Sequence, residues 1–98
     1  MNTILIAKSG TDLSSRSTGA RLRQQVLSLA KEGRVVLDFA DVRSVSHSFA
    51  DEFLAVLVEE QGEPWFRDHV KLVNHSSAVR LAILDAIQYR LVATGRAA

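Results

Sequence analysis

Val35-Val36-Leu37-Asp38-Phe39 runs, after a short polar stretch, into Ser46-His47-Ser48-Phe49-Ala50-Asp51-Glu52-Phe53. Residues 34–39 are nearly continuous apolar sequence, which predicts a strand buried on both faces. Residues 48–61 predict a helix. Phe49, Phe53, Val56 and Leu57 recur at helical spacing, and Ala50, Leu54 and Val58 widen the stripe. Ser48 with Asp51 three residues later fits a capping box, and Asp51 and Glu52 in a first turn suit the helix dipole. Between strand and helix, Ser44, Ser46, His47 and Ser48 collect at the carboxyl end of the strand. In open α/β sheets, ligands and partners bind at that edge.

Working outward, the β-branched run at residues 3–7 predicts a first strand, and the Ser-, Thr- and Gly-rich residues 9–18 a loop. Leu22, Val26, Leu29 and Ala30 mark a helix to about Glu32, with Gly33 placed as its left-handed C-cap. Gly62 and Pro64 end the second helix. Val70–Val73 predicts a third strand, residues 74–77 a cap-rich loop, and Val79, Ile83, Ala86 and Ile87 a final amphipathic helix. Residues 94–98 read as a frayed tail. The order β-α-β-α-β-α implies an α/β fold with a mostly parallel or mixed sheet, helices packed on it and right-handed crossovers. Strand order, and any strand within residues 9–18, stay open.

Composition narrows the function classes. A chain of 98 residues favours one domain over residues 1–98, and 47% hydrophobic content with one Trp and four Phe supplies a core. Small domains bury a modest share of their surface, so packing against a partner, a second copy included, would add stability. Net charge is +1, with Arg and Lys scattered rather than clustered, which argues against nucleic acid. Cysteine is absent, so disulfides and thiolate chemistry do not enter. Residues 1–7 lack the pattern of a signal peptide, and no apolar run is long enough to span a bilayer. The expectation is a cytoplasmic protein without a membrane partner.

The segment Leu37-Asp38-Phe39-Ala40-Asp41-Val42, then Val45, then Ser48-Phe49-Ala50-Asp51-Glu52-Phe53, resembles the signature of the STAS-like domain family of unknown function. Ser15-Arg16-Ser17, with Gly19 and Arg21, matches that family's upstream motif, and Val73-Asn74 with Val79-Arg80 its third strand and following turn. The resemblance runs roughly from Ile4 to Ala86. More remotely the pattern is similar to the STAS domains of anti-sigma-factor antagonists, which bind a histidine-kinase-like ATPase and are switched by serine phosphorylation at this helix start. Their Asp-Ser-Ser-Gly pattern falls on Ser46, His47, Ser48 and Phe49, so the usual acceptor position holds His47 and the second serine is Ser48. The resemblance implies a non-catalytic regulatory interaction module. Its partner-binding surface would comprise Ser44, Ser46, His47, Ser48, Asp51 and Glu52.

Each candidate residue carries a second reading. Ser48 serves as N-cap or as phosphoacceptor, with Ser46 an equal acceptor. Asp51 and Glu52 serve as caps or as an acidic contact. They point about 100° apart on a helix, so they do not converge for acid–base work. Ser15, Arg16, Ser17 and Arg21 form either an anion site at a helix start or a capped helix with Arg16 paired to Asp38 or Asp51. With His47 and His75 on the same sheet edge, they offer the alternative function, a nucleotide- or anion-binding domain. No metal-ligand spacing, Walker loop or nucleophile elbow occurs, so no cofactor, metal or enzymatic activity is expected. His69 reads as exposed. Trp65 and Phe66 are either an interface anchor or a cover for the end of the core.

Overall fold

The elements follow as β1 (Asn2–Leu5), a 3-10 turn (Ile6–Ser9), β2 (Asp12–Leu13), α1 (Arg16–Ala30), β3 (Val35–Asp38), β4 (Ser44–Val45), α2 (residues 47–61), α3 (Glu63–His69), β5 (Val70–Val73) and α4 (Ser77–Ala93). They belong to a computed structural model that describes residues 2–95. β1, β3 and β5 form a parallel sheet in the order β1-β3-β5, with Ile4, Leu37 and Leu72 in register. β2 and β4 form a second, two-stranded parallel ladder, so residues 9–18 do contribute a strand.

The register sets what the sheet buries. Ile4, Val35, Leu37 and Val70 share one face and join the core with Phe39, Phe49, Phe53, Leu22 and Ile83. On the other face Val36 is buried, yet its neighbours Thr3, Leu5 and Lys71 are exposed. The prediction of a strand covered on both faces therefore describes β3 alone, because the central strand is shielded by its neighbours while the edge strands are not.

Helix α2 is the pillar of the core. Its residues 53–58 are all buried, as expected of a helix that is apolar nearly all round. α1 and α4 both pack against its middle turn. Gly19 allows the close approach of α1: a Cβ there would lie 2.9 Å from the Phe49 carbonyl oxygen and 3.1 Å from the Phe53 nitrogen.

Several boundaries differ from the sequence expectation. β1 stops at Leu5, because Ile6 turns fully into the core through the 3-10 turn. α1 begins at Arg16, inside the predicted loop, because Ser15 caps it. It ends at Ala30 with Lys31 as C-cap, so Gly33, at φ +142°, lies in the connection to β3 rather than at the cap. Gly62 (φ +95°) ends α2, but Pro64 then sits in the first turn of a further helix, α3. The predicted polar loop is therefore helical. Trp65 and Phe66 are half-buried against the core, and His69, also half-buried, stacks on Trp65 with ring centroids 4.5 Å apart. Thr94 and Gly95 close α4 through backbone bonds to Arg90 and Val92, and the rest of the predicted frayed tail lies outside the described residues. Among the described residues no helix is long and apolar enough to cross a membrane.

Candidate interaction site

Two helix starts are built side by side from the small ladder. Leu13 pairs with Val45, and the Ser46 N–H donates to the Leu13 carbonyl at 2.8 Å. Each strand is followed by a capping serine. Ser15 Oγ accepts from Thr18 N–H at 3.0 Å, and Ser46 Oγ accepts from Phe49 N–H at 3.0 Å. Ser46 Oγ also donates to the Ser14 carbonyl at 3.2 Å, which ties the two starts together. The cap of α2 is thus Ser46. Ser48 stands within the first turn, and the Ser48–Asp51 capping box does not form.

Beyond that first turn, α2 widens into a π-helical turn over Asp51–Ala55. The Val56 N–H reaches five residues back to the Asp51 carbonyl. The Glu52 carbonyl accepts from Arg23 Nη1 on α1. Such turns concentrate at sites where a helix must present unusual groups. This one carries Asp51 and Glu52 into a cluster of three arginines.

Arg90 of α4 grips Asp51 with two parallel bonds, Nε to Oδ1 and Nη2 to Oδ2, both 2.8 Å. Arg16 donates to Asp51 Oδ2 at 2.8 Å and to Glu52 Oε1 at 3.3 Å. Arg23 donates to Glu52 Oε2 at 2.9 Å, and Arg90 Nη1 to Glu59 Oε1 at 3.0 Å. Three guanidiniums face three carboxylates, so the cluster is formally neutral. Asp51 has a side chain only 6% exposed. A buried charge is tolerated when it is paired and hydrogen-bonded on all sides. The Arg90 guanidinium, helped by Arg16 and opposed by burial, holds the Asp51 carboxyl at about 2, below its ordinary 3.8. Arg23, with Arg16, likewise lowers Glu52, and Asp51 raises Arg90.

These contacts redistribute the residues singled out from the sequence. Asp51 is buried and bound by Arg16 and Arg90, and Glu52 is engaged by Arg16 and Arg23. Arg16 takes the paired alternative, with Asp51 as its carboxylate. Arg21 donates to Ser9 Oγ, and Ser15 and Ser17 bond each other at 2.8 Å. The anion site read into Ser15, Arg16, Ser17 and Arg21 therefore has its donors turned to internal acceptors. Asp38 instead accepts from Ala40 N–H and Asn74 Nδ2, which hold its carboxyl below the ordinary value.

His47 and His75 do not share a site. His47 is exposed, edge-on to Tyr89 with centroids 5.3 Å apart, at a cleft of about 260 Å³ with Arg16, Asp51, Arg90 and Thr94. His75 lines a separate apolar groove with Phe66, Leu72 and Ile83. Among the described residues no group of three or more His, Asp or Glu is placed to hold a metal ion. Ser44 is exposed on β4, where its Oγ donates to Asp12 Oδ1 at 2.7 Å. The exposed groups at this edge are thus Ser44 and His47 with Tyr89, and Ser46 and Ser48 are half-buried beside them.

Sequence reasoning missed Arg90, Glu59 and Tyr89, and it read Arg23 beside Arg16 and Arg21 at the anion site rather than as the partner of Glu52. One signal for Arg90 was present. Val79, Ile83 and Ala86 continue at helical spacing to Arg90, so an arginine occupies the buried stripe of α4 and requires a buried carboxylate.

No curated protein and no solved structure is significantly similar to the chain. One family does match, the STAS-like domain of unknown function (DUF4325), over residues 18–80. The matched segment takes in most of α1, the central strand, the loop at its carboxyl end, the π-helical turn and the start of α4. It omits Ser15-Arg16-Ser17 and Arg90. With close to two thirds of its length matched, this chain belongs to the STAS-like domain family of unknown function.

Proposed function

We propose that this domain is a non-catalytic regulatory module that works by protein–protein recognition, with residues 44–48 and the start of α2 as its main contact. One observation carries this reading. The exposed polar groups Ser44, on β4, and His47, at the start of α2, flank a helix cap and an ion-pair cluster, and the nearby carboxylates Asp51 and Glu52 are already engaged by arginines. Such an edge offers a rigid contact surface whose carboxylates are committed to arginines rather than free for acid–base work. The resemblance to anti-sigma-factor antagonists supports a histidine-kinase-like ATPase as partner.

Phosphorylation at this edge fits Ser48 better than Ser46. Ser46 Oγ is tied on both sides, to Phe49 N–H and to the Ser14 carbonyl. Ser48 lies half-buried in the first turn, outside that cap. Asp51 and Glu52 would repel an added phosphate if bare, but Arg16, Arg23 and Arg90 neutralise them.

The test is a native pull-down with and without ATP, with the intact mass of the bait recorded, repeated with Ser46→Asp and His47→Glu. Aspartate retains a capping acceptor but not the donor to the Ser14 carbonyl, and His47 is exposed, so circular dichroism checks that both variants remain folded before capture is compared. Capture of an ATPase by the unaltered chain and its loss in both variants supports the reading. Unchanged capture in both removes this surface from consideration.

A further inference from the structure

We propose that the outer edge of β1 receives an extended, acidic segment of another protein, which joins the sheet as a further strand. β1 stands at the end of the order β1-β3-β5, so one of its edges has no strand beside it. The alternation of the strand identifies the groups on that edge. Asn2 N–H donates to the carbonyl of Arg34, the residue that leads into β3, so Asn2 and Ile4 turn their peptide groups inward to β3. Thr3 and Leu5 turn theirs outward. The Thr3 N–H and carbonyl and the Leu5 N–H are thereby left to a neighbour. A row of such groups is a template for another strand.

The surroundings of the edge identify the neighbour. A cleft is lined by the consecutive residues Thr3, Ile4 and Leu5 of β1, by Lys8, and by Arg21 and Gln25 of α1. Successive side chains of a strand point to opposite faces, so a cleft that touches all three opens onto the edge itself. β5, at the other end of the sheet, contributes Leu72 alone to the apolar groove beside it. Lys8 and Arg21 give the β1 cleft its charge. Neither forms an ion pair among the described residues. Arg21 Nη2 donates to Ser9 Oγ at 3.1 Å, a neutral acceptor that leaves its charge uncompensated. Asp38 and Asp41 border Lys8 across a neighbouring cleft without pairing with it.

Charged residues often guard an open edge, but these two do not stand on the strand. Lys8 lies in the 3-10 turn that follows it and Arg21 on α1. They flank the carboxyl end of the edge, where carboxylates on an added strand would meet them. Leu5, 47% exposed, offers an apolar contact to the same strand. A second copy of this chain does not meet the requirement, because its own edge strand Asn2–Leu5 carries no carboxylate. The surface shares no residue with the edge at residues 44–48, so the inference does not rest on that reading.

The probe is a short fluorescein-labelled peptide of alternating Glu and Val, titrated against the full chain by fluorescence anisotropy. Amide hydrogen exchange followed by NMR locates it. Saturable binding that weakens as salt is raised is expected, with the Thr3 and Leu5 amides newly protected from exchange. Leu5→Pro removes an outward N–H at a residue whose φ of −85° is close to the value proline imposes. It is expected to weaken binding at least about threefold, as loss of a backbone bond does. The double variant Lys8→Glu, Arg21→Glu is expected to weaken it at least about tenfold. Circular dichroism checks that both remain folded, and the exchange pattern of the unaltered chain tests the site without any substitution. No binding at millimolar peptide, binding that leaves Thr3 and Leu5 unprotected, or affinity indifferent to Leu5→Pro would each overturn the proposal. So would displacement of the peptide by an equal concentration of inorganic phosphate, which would mark a site for small anions only.

Discussion

Helix α2 and the outer face of α4 depart from the usual distribution of side chains in opposite directions. α2 carries a carboxylate into the core, where Asp51 is the one buried charged residue among those described. α4 holds Leu81, Leu84, Tyr89 and Val92 out toward solvent. The two are joined by Arg90, which leaves the inner side of α4 to grip Asp51. Apolar packing is non-directional, so it fixes that α4 covers α2 but not its rotation or height. A bidentate arginine–carboxylate pair fixes both. The buried charge orients α4, and that orientation decides which of its apolar residues face outward.

The largest expected effect comes from breaking that link. Asp51→Ala leaves Arg90 and Arg16 without their shared acceptor, and loss of one member of a buried pair typically costs about 3–5 kcal/mol. Urea denaturation reads the change directly, and a loss below about 1 kcal/mol would place the pair among ordinary surface contacts. Acid titration sharpens the same point. Between the ordinary aspartate value of 3.8 and about 2, the unfolded chain binds a proton at Asp51 and the folded chain does not. Stability is therefore fully present above that window and falls as pH drops through it, by about 2 kcal/mol from this group. Glu52, also lowered, acts in the same sense. Asp51→Asn should flatten the slope in this window, and an unchanged slope would assign it to other carboxylates.

A smaller loss is expected where α1 meets α2. In Gly19→Ala the new methyl would stand 2.9 Å from a backbone carbonyl and 3.1 Å from a backbone nitrogen, neither of which can rotate away. Overpacking of this kind costs about 1–3 kcal/mol. Helix propensity alone would instead favour alanine by about 1 kcal/mol, so a stabilised variant would show that the two helices can separate at this point.

The core of the fold was legible from the sequence because it rests on periodicity. The apolar run Val35-Val36-Leu37 and the stripe Phe49, Phe53 and Leu57 appear as strand and buried helix where their patterns place them. The failures share a cause in competing local signals. Gly62 and Pro64 read as a helix stop, yet Pro64 equally suits a helix start, and α3 follows. The two-residue strands β2 and β4 are too short for any alternation to show. At the site, the loop, its serines and the pairing of Arg16 with Asp51 were visible, but the other two arginines that hold the carboxylates were not. Arg23 and Arg90 lie 29 and 39 residues from the carboxylates they bind, a distance that only packing closes.

The two serines that flank His47 give the finest test, since sequence alone assigned the cap to the wrong one. Ser46 Oγ accepts the Phe49 N–H and donates to the Ser14 carbonyl, so Ser46→Ala removes both a cap and a tie between the two helix starts. Cap loss of this kind costs about 1 kcal/mol. Ser48 lies one residue inside the helix, where alanine is the better helix former, so Ser48→Ala should change stability by less than about 0.5 kcal/mol. The pair of denaturation midpoints separates the roles without any knowledge of the partner. If Ser46→Ala weakens the fold and Ser48→Ala does not, then Ser48 can be altered without disturbing the platform, as a switchable contact requires. The reverse order would return the cap to Ser48 and leave Ser46 as the group exposed to a partner.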